Sequence, residues 1–518
     1  DNELAGDFDQ SENTHRAFRD WLKRKYESIG QLNQRWGCQF WNTYYGTFED
    51  IEMPADRELG YDNPHQLLDA QRFWSWAYAD FARLQAKILK PRIGRRFITT
   101  NFMPFHLCCD PGDFSEDLSL FSWDSYPVTG MEKEPPDDQT YRIAEPRGIG
   151  FMHDLMSSYN GRWGLMEVQP GQINWSGVPV LVYPGAIRLW LWTAFAHGAE
   201  FITTYRYRQP RFGVELFHHG LVGPDGVTPS AGGREFKQVI EEIKRLPVSK
   251  SEIRTPKSEV GLLFDFDQLW EYQALPQAKR WNQAQHLLNW YGAIARLGLP
   301  VRIIHPDRDW PDDLKLIVAP GIQMFNNRLR TRLDEFASRG GNLILTCRTA
   351  LMDRNGQLFE GPLAAPVLPM IGATIEAYDG LPEGAWGEVE MDGKKHRWGV
   401  WGDLLYAEPT TKVLAKYADQ FYPDTSAITQ RRHGSGTVTY CGVFAEPSLA
   451  GALVEKVARQ IKLPVTVLPV RVHVLSRGNL RIALNYRDEP VELPVPAKTK
   501  FIIGSRHLEP AGVAVWAE

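Results

Sequence analysis

Glu167 stands where a side chain could do chemistry. It lies in Gly164-Leu-Met-Glu-Val-Gln-Pro-Gly171, where an apolar run leads into the acid and the Pro170-Gly171 turn stops the strand. The carboxylate is therefore expected at a strand's end, which is where parallel α/β barrels keep their reactive groups. A lone Glu before Pro-Gly caps a turn or pairs with a surface arginine, but its neighbours argue for more. Trp175 offers a flat face suited to the C–H face of a sugar. Ile187-Arg-Leu-Trp-Leu-Trp192 with Ala196-His-Gly-Ala199 reads as a helix leading into a further strand.

The elements that must position Glu167 follow from periodicity. Helices are predicted over Arg16–Tyr26 and Ile29–Trp36. A long amphipathic helix is predicted from Asn63-Pro64 to Lys90, ended by Pro91, with Leu67, Leu68, Phe73, Trp76, Phe81 and Leu84 as its apolar face. Four strands follow, Arg96–Asn101, Leu118–Tyr126, Gly164–Gln169 and Glu200–Arg208, with helices at Glu145–Ser158 and Ala186–His197 between some of them. That alternation predicts parallel βα units, in an open sheet or a barrel; four strands cannot close a barrel. Gly232–Arg245 is the last helix of this region and Lys250–Lys257 a linker.

A small doubly wound α/β domain is expected next. Its strands are Val260–Phe264, Val301–Ile304, Leu316–Ala319, Asn342–Thr346 and Gly436–Cys441, and its helices Trp281–Leu297, Leu329–Arg339 and Leu449–Ile461. Cys347 follows a strand end without a nearby His-rich segment, so a thiol nucleophile is not expected there. Val472–Leu475, Leu480–Leu484 and Val491–Pro494 alternate as short strands of a β-sandwich-like terminal domain.

Composition narrows the function classes. A 518-residue chain with formal net charge −5 and neither a basic stripe nor an acidic tail is a poor partner for nucleic acid or an anionic membrane. No apolar run approaches the ~18 residues of a membrane span. Five cysteines without a CxxC pair indicate neither a disulfide framework nor a zinc knuckle, so reduced thiols and a cytoplasmic location are the default, with no cofactor expected. Eighteen Trp exceed ordinary core packing and hint at carbohydrate.

The chain resembles the glycoside hydrolase family 42 β-galactosidases from Asp1 almost to its end. The motifs are Asp1-Asn2-Glu3, Phe18–Tyr26, Leu32-Asn33 with Trp36-Gly37 and Phe40-Trp41, Asn63-Pro64, Thr100-Asn101, Trp123-Asp-Ser-Tyr-Pro127, Met166–Gly171, Ala196–Ala199, and Tyr207-Arg-Gln with Gly213-Val-Glu215. The resemblance implies a (β/α)8 TIM barrel at 1–247, of which only the second half is present, an α/β trimerisation domain at 258–463 and a C-terminal β domain at 464–518. It implies a homotrimer that hydrolyses terminal β-D-galactosides with retention. Glu3 corresponds to the acid/base, at the end of the fourth barrel strand, and Glu167 to the nucleophile, at the end of the seventh. A retaining enzyme needs two such carboxyls, ~5 to 5.5 Å apart. Asn2 would bind the 2-hydroxyl, Trp175, Glu215 and His218 would grip the galactose, and Tyr126 would border the nucleophile.

Other readings compete. An α-L-arabinopyranosidase or another retaining β-glycosidase would use the same machinery, and a non-catalytic sugar-binding scaffold would use none of it. Glu215 could pair instead with Arg211, and His218 could be a packing histidine. Many family members carry a metal-binding cysteine cluster shortly after the acid/base, but residues 4–37 hold no cysteine, so no zinc is expected there. The strands preceding Asp1 in the family, and an arginine they supply, have no counterpart here. An upstream segment or a second chain is therefore expected to complete the barrel.

Overall fold

Serine and asparagine caps start the helices that precede the sheet. In a computed structural model, residues 8–55, 63–103, 108–128, 139–247 and 258–518 are described. Asn2, Glu3 and the Lys250–Lys257 linker lie outside them. Ser11 accepts the N–H of Thr14 to open α1 (Glu12–Tyr26), Ser28 opens α2 (Ile29–Arg35), and Asn63 with Pro64 opens α3 (Pro64–Ile93). Two expectations for α3 need correction. Pro91 does not end it: the helix carries the proline within its last turn, and the chain leaves helical space only at Gly94, φ 62°. The apolar face also splits. Leu67, Leu68 and Phe73 are buried, but beyond them the inward positions are Ala79 and Ala86, while Phe81 and Leu84 are 48% and 57% exposed. With Ile88 they form a second stripe, turned away from the alanines by the helical period.

Three parallel strands follow, β1 (Asn101–Phe102), β2 (Phe121–Ser125) and β3 (Trp163–Val168), in the order β1-β2-β3. The first is shorter than the predicted Arg96–Asn101, because Ile98 is held by Ser119 before the ladder starts. The predicted fourth strand is shorter still. Glu200–Thr203 pairs with β3 through Glu200 N to Trp163 O, Leu165 N to Phe201 O and Thr203 N to Leu165 O, at 2.8, 3.0 and 2.9 Å. The Thr203 and Thr204 hydroxyls then take the carbonyls of Met166 and Val168, and the chain leaves the sheet. Gly164 permits this approach, since a Cβ there would meet the Phe201 ring at 2.5 Å.

Between β2 and β3, α4 (Pro146–Asn160) packs on the sheet, and α5 (Ala186–Ala196) and α6 (Ala231–Ile243) follow β3. The Trp residues of α5 are core rather than sugar contacts: Trp190 donates to Ile143 O and Trp192 to Glu242, both at 2.8 Å.

The second region contains β4 (Val260–Leu263), α7 (Phe266–Ala274), α8 (Gln283–Ala295), β5 (Arg302–Ile304), β6 (Leu316–Ala319), α9 (Asn327–Ser338), β7 (Asn342–Thr346) and α10 (Leu368–Ile371). It continues through β8 (Ala373–Asp379), β9 (Gly387–Met391), β10 (Lys394–Ala407), β11 (Lys412–Tyr417), β12 (Ser426–His433), β13 (Gly436–Cys441), β14 (Val443–Ala445) and α11 (Pro447–Gln460). Strands β5-β4-β6-β7-β13 are parallel, and alternate side chains feed two cores, one on α8 and α11 and one on α9, which is the doubly wound plan. The sheet does not stop there: β12, β11, β9, β10, β8 and β14 extend it with antiparallel strands into one mixed sheet. Cys347 is fully buried, and burial with the nearby Asp403 holds its thiol protonated, which removes it as a nucleophile.

The terminal region comprises β15 (Val472–Arg477), β16 (Leu480–Asn485), β17 (Val491–Glu492), β18 (Phe501–Ile503), β19 (His507–Leu508) and β20 (Val513–Ala517). Four of these form an antiparallel sheet in the order β15-β16-β20-β18. One face carries the β17–β19 ladder through Leu493, Leu508 and Trp516, giving the sandwich-like form, and the other joins the core at α5, where the Thr193 and Tyr486 hydroxyls lie 2.6 Å apart.

Candidate active site

Parallel pairing brings the ends of β2 and β3 to one edge, and chemistry-bearing side chains collect there. Between Trp123↔Leu165 and Asp124↔Glu167 the register advances by one extra residue on β3, so Met166 is bulged out immediately before Glu167. A bulge bends a strand and re-aims the next side chain. Beyond the strand, Gln169 is fully buried and donates to Gly171 O at 2.8 Å, which fixes the Pro170-Gly171 turn. The amino end of α6 closes on that turn: a Cβ at Gly232 would lie 1.9 Å from Pro170 O, so only glycine allows the contact.

Tyr126 follows the last residue of β2, and its hydroxyl donates to Glu167 Oε2 at 2.6 Å. A short bond from a phenol to a carboxylate stabilises the ionised acid and fixes its rotamer. Trp175 stands edge-on to Tyr126, with ring centroids 4.9 Å apart, and is half exposed. It can offer a face to a ligand while Tyr126 holds its edge.

Across from them, Tyr205 and Arg206 both donate to Glu215 Oε2, at 2.7 and 2.8 Å. The ion pair suggested for Glu215 with Arg211 is therefore corrected to Arg206, which the chain leaving the sheet at Thr204 carries past Glu215. The Tyr205 phenol is held above its ordinary range, first by its bond to Glu215 and then by burial. His218 sits between Tyr126 and Tyr205, edge-on to both at 6.0 and 5.3 Å. Its Nε2 meets Tyr205 O at 3.0 Å and its Nδ1 meets the Asn174 side chain at 3.1 Å. Burial lowers its pKa, so the ring is neutral near pH 7. Because both ring nitrogens have protein partners, His218 braces this wall.

The structure thus brings together Glu167, Tyr126, Trp175, Glu215 and His218 from segments far apart in sequence. Asn2 and Glu3 lie outside the described residues. Sequence reasoning missed Tyr205, Arg206 and Asn174; the only signal for Arg206 was a basic run in which Arg206, Arg208 and Arg211 looked alike. It also missed the pair beneath the site, where Asn101 donates to Asp124 Oδ2 at 2.5 Å beside Glu167 in the ladder. Among the described residues, no group of three or more His, Cys, Asp or Glu side chains could hold a metal ion, and no helix is long and apolar enough to cross a membrane.

Comparison with known proteins finds likeness along nearly the whole chain. Family models described as β-galactosidase, β-galactosidase trimerisation domain and β-galactosidase C-terminal domain match residues 1–246, 258–464 and 470–518. A β-galactosidase of Haloferax lucentense is 31% identical over 505 residues, which cover 96% of this chain and 74% of that protein. One from Thermus thermophilus is 32% identical, with 97% and 76% covered. Among solved structures, a β-galactosidase from the psychrophilic Marinomonas ef1 superposes with a TM-score of 0.91 at 31% identity, covering 100% of this chain and 79% of that one. The enzyme of the Antarctic haloarchaeon Halorubrum lacusprofundi gives 0.92 at 28% identity, covering 100% and 78%. The chain spans about three quarters of the length of these relatives.

Proposed function

Family 42 of the glycoside hydrolases is the family to which this chain belongs, and we propose from the site that it hydrolyses terminal, non-reducing β-D-galactosides by double displacement. The observation that carries the reading is Glu167: a strand-end carboxylate, re-aimed by a bulge, with Tyr126 on Oε2 and Trp175 and Glu215 bordering the same space. Glu167 attacks the anomeric carbon from below the ring. Tyr126 holds its oxygen on line for attack. Glu3 is the acid/base that protonates the leaving oxygen and then activates water, and Asn2 binds the 2-hydroxyl. Glu215, fixed by Arg206 and Tyr205, accepts hydrogen bonds from ring hydroxyls, and Trp175 stacks on the apolar sugar face. His218 contributes by holding Tyr205 and Tyr126 in place.

The parallel units around β1–β3 correspond, in this reading, to the second half of a (β/α)8 barrel, and the region 258–463 holds a homotrimer together; the match to a trimerisation-domain model supports the latter. A chromogenic aryl β-galactoside tests the activity directly. Release of the aryl alcohol, with β-galactose as the first anomer seen by NMR, is the expected result. A first anomer of α configuration would overturn retention, and absence of turnover from the assembled protein would overturn hydrolysis.

A further inference from the structure

Away from the site, sulfur gathers at one place in the core. The chain has 5 Cys and 10 Met, and five of these residues line one small cavity of about 10 Å³: Met103, Cys108, Cys109, Met152 and Met156. The Cys108 and Cys109 sulfurs lie 3.7 Å apart, and both residues are buried. Met103 directly follows β1, while Met152 and Met156 stand one turn apart on α4, so both project toward the same side. The other lining residues, Phe266 among them, are apolar. Thiols and thioethers ordinarily fill cores as soft apolar groups. Here they surround a space large enough for about one small atom or ion.

We propose that this cavity is a binding site for a soft monovalent d10 cation, Cu(I) or its redox-inert surrogate Ag(I), held by the Cys108–Cys109 pair and by methionine thioether sulfur. Thiolate and thioether donors select such ions, and among the described lining residues no side chain supplies oxygen or nitrogen, which disfavours Mg²⁺ and Ca²⁺. Binding is a proton exchange: Ag⁺ and one R–SH give R–S–Ag and H⁺, forming one S–Ag bond, breaking one S–H bond and transferring no electrons. The product is neutral, which suits an apolar surrounding. The thiol proton must leave as the ion enters. A bound ion would tie α4 to the end of β1, two elements that flank β2, the strand just before Tyr126.

Anaerobic titration of the full chain with silver nitrate, read by native mass spectrometry with excess free methionine as competitor, tests the proposal. One Ag(I) per chain should resist the competitor, and the double variant Cys108→Ser/Cys109→Ser should lose it. Met152→Leu and Met156→Leu conserve volume and fold, so they decide the matter even if the cysteine variant does not fold. Each should weaken Ag(I) binding roughly tenfold, in line with other perturbations of a metal's surroundings. The proposal is overturned if no ion survives competition, if the serine variant keeps the same ion, or if both leucine variants bind Ag(I) as tightly as the parent.

Discussion

Two carboxylate clusters of the molecule differ in their surroundings. At the junction of α3 with α7, Asp69 is almost fully buried and accepts hydrogen bonds from Lys25, Tyr26 and Trp36. Arg72 forks onto both oxygens of Asp267, at 3.0 and 2.6 Å, and Arg354 reaches Asp265 at 2.8 Å. Burial pushes the Asp69 and Asp267 carboxyls up, but the cations beside them outweigh it and hold both below the ordinary range. Around Glu167, by contrast, the described surroundings are the Tyr126 hydroxyl with the Trp175 ring behind it, and the acid is half-buried at a strand end. The difference separates two uses of the same group. Fully paired, buried acids fasten elements together, and an acid oriented at a rim by a short hydrogen bond from Tyr126 is placed to react.

Glu167→Gln should break the contrast from the reactive side with the largest effect. We expect kcat to fall by roughly 10⁴-fold or more, as for removal of other catalytic nucleophiles, with little change in thermal stability. Steady-state kinetics beside a thermal melt check both halves. Arg72→Ala should do the reverse. Removing it leaves Asp267 to Arg354 alone, at 3.1 Å, and weakens the pairing of Asp69, a loss toward the low end of about 3–5 kcal/mol, visible as a lower denaturation midpoint. The assembled fraction that survives should keep its KM.

Acid should act on the buried side too, and through histidine before carboxylates. Burial lowers His473 to about 4, below the roughly 6.5 of an unfolded histidine. The unfolded chain therefore binds a proton first as pH falls. The contribution of neutral His473 is full above pH ~6.5 and is lost progressively down to its folded pKa, about 3 kcal/mol in all. Denaturation midpoints measured between these limits should slope downward with acid, and His473→Leu should reduce the slope. His286, lowered to about 3 by burial, will leave part of it in place. The smallest effect belongs to the rim: Tyr126→Phe should lower kcat roughly 10- to 100-fold, with KM and melting temperature nearly unchanged.

How much of this was legible in the sequence depended on how local the cause was. Leu316–Ala319, Asn342–Thr346 and Gly436–Cys441 have the strand limits their apolar runs announced, because turn residues bound each run. Glu167 was readable for the same reason: Pro170-Gly171 ends the strand just past it. The antiparallel extension from Ala373 to His433 escaped notice because its burial alternates irregularly and its long strand β10 serves several neighbours. Helix α7 escaped because Gln268 and Glu271 interrupt its apolar pattern while being buried themselves. The bulge at Met166 and the grip of Arg206 on Glu215 depend on register and on where the chain leaves the sheet, neither of which a local pattern encodes.

One product analysis decides whether Glu167 is the nucleophile. Glu167→Ala, supplied with an aryl β-galactoside and sodium azide, leaves room below the sugar ring for a small anion while the acid/base remains above it. Azide should restore turnover and yield α-galactosyl azide, identified by the anomeric coupling in its NMR spectrum. Isolation of β-galactosyl azide would mean that Glu167 acts as the acid/base, and would contradict the account.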